Sequence, residues 1–352
     1  MAGRRRGRVT IGDVAREADA SVTTVSRVLN DVTTVDPALA HRVRRAIADL
    51  GYRPSATAQG LARGHSGTLG VLVPDLANPH FSDLVKAFTA TVRASGARVL
   101  VMDSDEAPAV ERDLAEDLLR YADGLLLCAP RMPRTDLAAL AGRGAPLLVA
   151  NRRVPGLALH TVGVDFHQGV LAVCGHLAQL GHRRVVYLAG PEGSWANRER
   201  LRALAGAEAF GLRATVLACG STTDDGYAVA ERALAAEGTA LVAYNDFVAL
   251  GLLSRLAELG VRVPDDISLT GFDEIDLARF SSPPLTTVAV PRSGLGRAAA
   301  LALVRLMSGD TDGDDGDVDG EAGGGTGCDQ GEAASEALPV ELHVRGSTSA
   351  PS

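Results

Sequence analysis

Nine short apolar runs, separated mostly by stretches of helix length, constrain this chain more than any other feature. From Thr68 onward they read TLGVLVPD, ARVLVMD, DGLLLCA, PLLVAN, TVGVD, RVVYLAG, ATVLA, TALVAYN and DISLTGFD. Most are continuous apolar stretches rather than alternating ones. A strand that is apolar on both sides must be covered on both faces, as in parallel sheets wrapped by crossover helices. About ten such strands exceed one ordinary sheet, so two similar doubly wound α/β lobes are expected.

Composition narrows the function classes. The chain has 352 residues, 46 % of them apolar, enough for two or three domains. Cys128, Cys174, Cys219 and Cys328 are scattered without a Cys-x-x-Cys pair, against both a disulfide framework and a zinc ribbon. No apolar run is long enough to span a membrane, and no apolar segment follows the basic N-terminus as a secretion signal would require. The expected compartment is the cytoplasm. Glycine-rich phosphate loops and the common hydrolase and metalloprotease motifs are missing, so no enzyme and no cofactor are expected. Cys174, His176 and His182 lie near one another in sequence but lack the geometry of a metal site.

Charge is unevenly placed. Residues 1–64 hold 11 Arg against 6 Asp and Glu, a net of +5, whereas the remainder carries −13. A basic head on an acidic body implies that the head alone meets a polyanion.

The head reads as three short helices over 9–50. Thr10 can cap the first, with Asp13 three residues on as in a capping box. Ile11, Val14, Ala15 and Ala18 then form one apolar stripe. Asp19-Ala20-Ser21 is a turn in which Asp19 tolerates positive φ and Ser21 caps the next helix. Val25, Val28 and Leu29 point inward there, while Thr23, Ser26, Arg27 and Asn30 share the opposite face. That face is short, polar and free of carboxylates, which suits a major groove: Arg27 can pair with guanine and a Thr methyl can meet a thymine methyl. Asp36-Pro37 opens a third helix burying Leu39, Val43, Ala46, Ile47 and Leu50, with His41, Arg42, Arg44 and Arg45 outside to meet phosphate.

The string VTIGDVAREADASVTTVSRVLN resembles the N-terminal signature of the LacI/GalR family of transcription regulators. The resemblance implies that Val22, Thr23 and Arg27 read bases, and that Thr10, Ser21, Thr24, Ser26 and Asn30 are structural or face phosphate. Asp19-Ala20 departs from the family's usual Gly-Val-like pair. Next, YRPSATAQGLARG, starting at Tyr52, resembles the family's hinge; Tyr52 joins Arg42 and Arg45 among the expected DNA contacts, and Leu61 would wedge into the minor groove. So short a helix, weakened by Gly60, would fold only on DNA beside a partner chain.

The body resembles periplasmic sugar-binding proteins and the family's effector core, from about Thr68 to Ser308 and again over LPVELHVRGS. In open α/β sheets ligands bind beyond the carboxyl ends of strands. Asn151, Asn245 and Asp273 stand at such ends, His80 and Phe81 follow the first strand, and Arg200 with Trp195 follows YLAGP. Residue by residue, Asn151, Arg200, Asn245 and Asp273 match effector-contacting positions of the family; His80, Phe81, Trp195 and Phe247 are further candidates. Asp165 and Asp246 are expected to cap helices. Ala203-Leu204 and Ser221 depart from the family's pattern around the ligand.

The expected organisation is an all-α helix-turn-helix domain (8–53), a hinge (54–66), and a two-lobed parallel-sheet domain of periplasmic-binding-protein type (67–347). A disordered Gly/Asp-rich insertion occupies 309–337. Within it, Asp315, Asp317 and Asp319 mimic the start of a calcium loop, but Thr326 stands where a glutamate is needed. The implied function is a repressor that binds a pseudo-palindromic DNA operator as a homodimer, with affinity set by a small effector, most simply a sugar. A solute-binding transport protein is the alternative, opposed by the basic head.

Overall fold

The computed structural model describes residues 9–29, 35–52, 66–309 and 335–351. The Leu61 hinge, Asn30, Cys328 and the calcium-like acidic string lie outside the described residues. The chain divides into two compact units, Met1–Ser66 and Gly67–Ser352.

In the first unit, α1 (Ile11–Glu17), α2 (Val22–Leu29) and α3 (Pro37–Leu50) surround a small core of Val14, Ala15, Ala18, Val25, Val28, Val43 and Ala46. The Thr10–Asp13 capping box forms in both directions. Hydrogen bonds from the Thr10 backbone and hydroxyl hold the Asp13 carboxyl below the usual carboxylate range. Asp19 takes φ +47° at the turn, and the Ser21 hydroxyl accepts the Thr24 N–H at 3.0 Å. Asp36 caps α3 with Pro37 in its first turn. Leu39, expected in the core, is only half-buried; Ala40 packs there instead, because 40, 43, 47 and 50 fall on one helical stripe.

The second unit runs β1 (Thr68–Val73), α4 (Pro79–Arg93), β2 (Arg98–Asp103), α5 (Pro108–Leu119), β3 (Gly124–Cys128), α6 (Arg134–Ala141), β4 (Leu147–Ala150) and β5 (His160–Val164). It continues through α7 (Phe166–Gln179), β6 (Arg184–Ala189), α8 (Trp195–Leu204), a 3₁₀ turn (Ala207–Phe210), β7 (Arg213–Ala218), α9 (Thr223–Ala235), β8 (Ala240–Ala243), α10 (Asp246–Glu258) and β9 (Ser268–Asp273). It closes with α11 (Asp276–Phe280), β10 (Thr286–Ala289), α12 (Arg292–Ser308), β11 (Ser335–Leu338) and β12 (Glu341–His343).

All nine apolar runs become strands, and they divide between two six-stranded sheets, ordered β11-β5-β4-β3-β1-β2 and β12-β10-β9-β8-β6-β7. Every pairing is parallel except β10 with β12. Apolar clusters cover both faces of each sheet. The edge strands β2 and β7 are largely exposed despite their apolar residues, since an edge has a neighbour on one side only.

The chain passes between lobes three times. It leaves the first sheet after β5, returns after β10 as α12 packs on α4, and leaves again between β11 and β12. The segment assigned to the insertion ends earlier than composition suggests. Ser335, Glu336 and Ala337 pair with Thr161, Val162 and Gly163 of β5. Edge pairing uses backbone groups, so a run without bulky apolar side chains can still be a strand. Among the described residues no helix is long and apolar enough to cross a membrane.

Candidate functional site

A cavity lies where the carboxyl ends of the two sheets' strands face each other. The first lobe lines it with Asn78, His80, Phe81, Glu106, Ala129, Arg131 and Asn151; the second adds Phe166, Ala196, Arg200, Ser221, Tyr244, Asn245 and Asp273. Four lining residues adopt positive φ: Glu106 (57°), Ala129 (43°), Asn151 (57°) and Asp273 (105°). Such backbone is costly for non-glycine residues and gathers where a side chain must be aimed.

Each polar group is fixed by its element. The Asn78 side chain caps α4 by accepting the His80 N–H at 2.9 Å, which sets His80 over the strand ends. Burial pushes the His80 imidazole below its ordinary pKa, with the Asp273 carboxylate opposing. Arg200 projects from α8 on the face it shares with Ala196, four residues earlier. Its guanidinium stands 3.7 Å from the Phe272 ring centre and 4.7 Å from that of Tyr244. It donates to the Tyr244 carbonyl and lies 4.0 Å from the Asp273 carboxylate. Arg131 pairs with Glu106. The loop presenting Arg131 is held by the Glu111 carboxylate, which accepts the Arg131 and Met132 N–H groups. Burial raises the Glu111 carboxyl, and those two hydrogen bonds oppose the rise.

Six of the eight expected effector residues therefore meet: His80, Phe81, Asn151, Arg200, Asn245 and Asp273. Asn245 is partly committed elsewhere, capping α10 through the Val248 N–H and donating to the Ser221 carbonyl. Trp195 does not face this cavity. It sits five residues before Arg200, about 140° round the helix, where Arg198 lies over its ring and it lines, with Arg152 and Arg153, an adjoining hollow that shares Asn151 and Phe166 with the cavity. The aromatic walls are Phe81, Phe166 and Tyr244 instead; Phe247 packs against the core cluster under α10. Ala203 and Leu204 are likewise core residues.

Asp165 caps α7 as expected, but Asp246 does not cap. Asn245 takes that role, and the fully buried Asp246 carboxylate accepts the Thr287 hydroxyl at 2.6 Å and the Ile275 N–H at 2.8 Å. Asn78, Glu106, Arg131, Phe166 and Tyr244 were not anticipated. Asn78 and Tyr244 adjoin expected residues, but Glu106 and Arg131 follow β2 and β3 in loops without a distinctive motif. His176 bonds to the Thr348 hydroxyl, and His182 to Thr239 and the Ser349 carbonyl. Among the described residues no group of three metal-ligating side chains occurs.

On the head, Val22 is 48 % exposed at the start of α2, and Thr23 and Arg27 are exposed beside it. Thr10 is spent in its capping box, and Ser21 bonds to Thr24 at 2.8 Å. Ser26 is half-buried. Arg42 and Arg45 are exposed, Arg45 in a loose 3.6 Å pair with Asp49, while Tyr52 packs on the core.

Residues 10–55 match the family "Bacterial regulatory proteins, lacI family", and residues 174–318 match a periplasmic binding protein-like domain. The chain is 32 % identical to the HTH-type transcriptional repressor CytR of Escherichia coli K12, over 97 % of this chain and 96 % of that protein. Its fold is similar to the lac repressor dimer bound to operator and the anti-inducer ONPF, with a TM-score of 0.82, 27 % identity, and 98 % and 100 % of the two chains covered. It is also similar to the transcriptional regulator CelR in complex with cellobiose, with a TM-score of 0.68, 27 % identity, and 97 % and 100 % covered. The chain belongs to the lacI family of bacterial regulatory proteins and is a DNA-binding transcriptional regulator.

Proposed function

We propose that this regulator is a cytoplasmic homodimeric repressor whose operator affinity is set by an uncharged sugar-like effector held between the two lobes. One observation carries the effector reading. His80 Nδ1, Asn151 Oδ1, Arg131 Nε and Arg200 Nε all border the cavity, are buried, and have no hydrogen-bond partner. Leaving buried donors and acceptors unmade is costly, and a ligand rich in hydroxyls satisfies both kinds. Aromatic side chains supply apolar walls for the carbon face of a sugar ring. The charged lining groups comprise the Arg131–Glu106 pair and the Arg200–Asp273 group, which favours a ligand without net charge.

In this reading Val22, Thr23 and Arg27 meet base edges, Arg42 and Arg45 meet phosphate, and two heads in a dimer read a pseudo-palindrome. The lac repressor dimer on its operator and CelR with cellobiose supply the precedent. Effector binding shifts the lobes relative to each other and biases the hinge, with a coupling of about 1–3 kcal/mol. Selecting bound duplexes from a random pool, then repeating the binding with a panel of mono- and disaccharides, tests the reading. A pseudo-palindromic consensus whose retention changes with one sugar is expected; failure to retain any duplex would overturn it.

A further inference from the structure

The polarity of the cavity's polar groups depends on one imidazole. His80 reaches from the first lobe to within 3.4 Å of Asp273 Oδ1 in the second, measured at Nδ1, while its Nε2 lies 3.1 Å from Asn151 Nδ2. All three side chains are buried. An amide nitrogen only donates, so Nε2 must accept. A neutral imidazole accepting at Nε2 carries its proton on Nδ1. With its nitrogen turned to His80, Asn151 must present Oδ1, which has no hydrogen-bond partner. His80 Nδ1 also lacks one, since its approach to Asp273 is close but not aligned as a hydrogen bond.

We propose that His80 is the residue that sets the donor–acceptor pattern of the effector site, locked by Asn151 as the Nδ1–H tautomer so that the site selects adjacent uncharged hydroxyls. The lock leaves three donors, His80 Nδ1–H, Arg131 Nε–H and Arg200 Nε–H, beside two acceptors, Asn151 Oδ1 and the Asp273 carboxylate. A hydroxyl both accepts and donates, so neighbouring hydroxyls fit such a set. A phosphate or carboxylate only accepts, and would face Asn151 Oδ1 and Asp273 with nothing to give them. Burial keeps the imidazole neutral at pH 7 against the pull of Asp273 and Asp83; Arg200 and Arg292 are the other charged groups acting on it, and both favour the neutral form.

The inference rests on the effector reading of the cavity, yet its first test needs no ligand. Side-chain ¹⁵N–¹H correlation spectra of the full-length protein, with His80 assigned by signal loss in His80→Gln, report the tautomer directly. At pH 7 the expected result is a protonated Nδ1 and an unprotonated Nε2. Asn151→Asp replaces the donor by an acceptor and should place a proton on His80 Nε2. An Nε2–H or doubly protonated His80 in the parent protein would overturn the proposal, as would an unchanged tautomer in Asn151→Asp. For a sugar that the panel yields, His80→Leu should weaken binding by about tenfold or more, and affinity equal to the parent's would contradict the donor role. A panel that yields no sugar counts against the effector reading, while the tautomer spectra still decide the lock.

Discussion

Asp273 and Arg200 share the cavity but differ in what their removal does to the fold. Arg200 is buried against Phe272 and Tyr244 and supplies a hydrogen bond to the Tyr244 carbonyl. Arg200→Ala should therefore abolish effector response and also lower the melting temperature, because it opens a void and strips a buried carbonyl of its partner. Thermal melting of the ligand-free variant checks this; an unchanged melting temperature would show that the packing contributes little. Asp246 is a purely structural carboxyl. Burial, with the nearby Asp273 charge, pushes its pKa well above the carboxylate range, while the bonds from Thr287 and Ile275 oppose. A raised folded-state pKa means stability that is fully present when the unfolded-state carboxyl is protonated, below about pH 4, and that is lost as pH rises through the raised value. Asp246→Asn should lose that pH dependence, measured as urea midpoints from pH 4 to 7; identical slopes in variant and parent would contradict the assignment. At this scale the sequence was informative where a residue ends a strand, as with Asn151 and Asp273. It was silent on Arg131 and Glu106, whose meeting depends on how two loops on either side of β1 fold. It also misplaced Trp195 because helical phase, rather than sequence proximity to Arg200, decides which face meets the cavity.

At the element scale, α9 and α10 touch backbone to backbone. A Cβ on Gly251 would fall on the Thr223 carbonyl oxygen, and one on Gly226 on the Val248 carbonyl oxygen. Gly251→Ala should therefore cost about 1–3 kcal/mol by forcing the helices apart, seen as a drop in melting temperature of several degrees; a neutral outcome would mean the pair slides freely. In the head, α2 depends on Ser21 for its cap and leaves Thr23 and Arg27 outside. Arg27→Ala should weaken operator binding by about 1–3 kcal/mol and relax preference at one base pair. A uniform loss over all sequences would make Arg27 a phosphate contact. Periodicity exposed nearly every element here because the inner strands are buried by covering helices, the edge strands β2 and β7 keep the same apolar pattern, and each head helix carries one apolar stripe. β10, β11 and the three-residue β12 escaped notice for a related reason. TTVA mixes polar with apolar residues, and SEAL is an edge strand bordering an acidic run.

Across the whole molecule, a basic head and an acidic body divide the labour: one unit meets the polyanion, the other senses the ligand. Operator affinity should fall with salt by about 0.9 log units per log unit for each phosphate neutralised; a flat dependence would be incompatible with an arginine-borne interface. The central claim is that Asp273 belongs to a sensor that speaks to the head only through ligand. The direct measurement is operator affinity of Asp273→Asn and of the parent, each with and without the effector found in the sugar panel. The account predicts equal affinities without ligand and a response confined to the parent. A variant that responds at the parent's ligand concentration, or one that loses operator binding without any ligand, would contradict it.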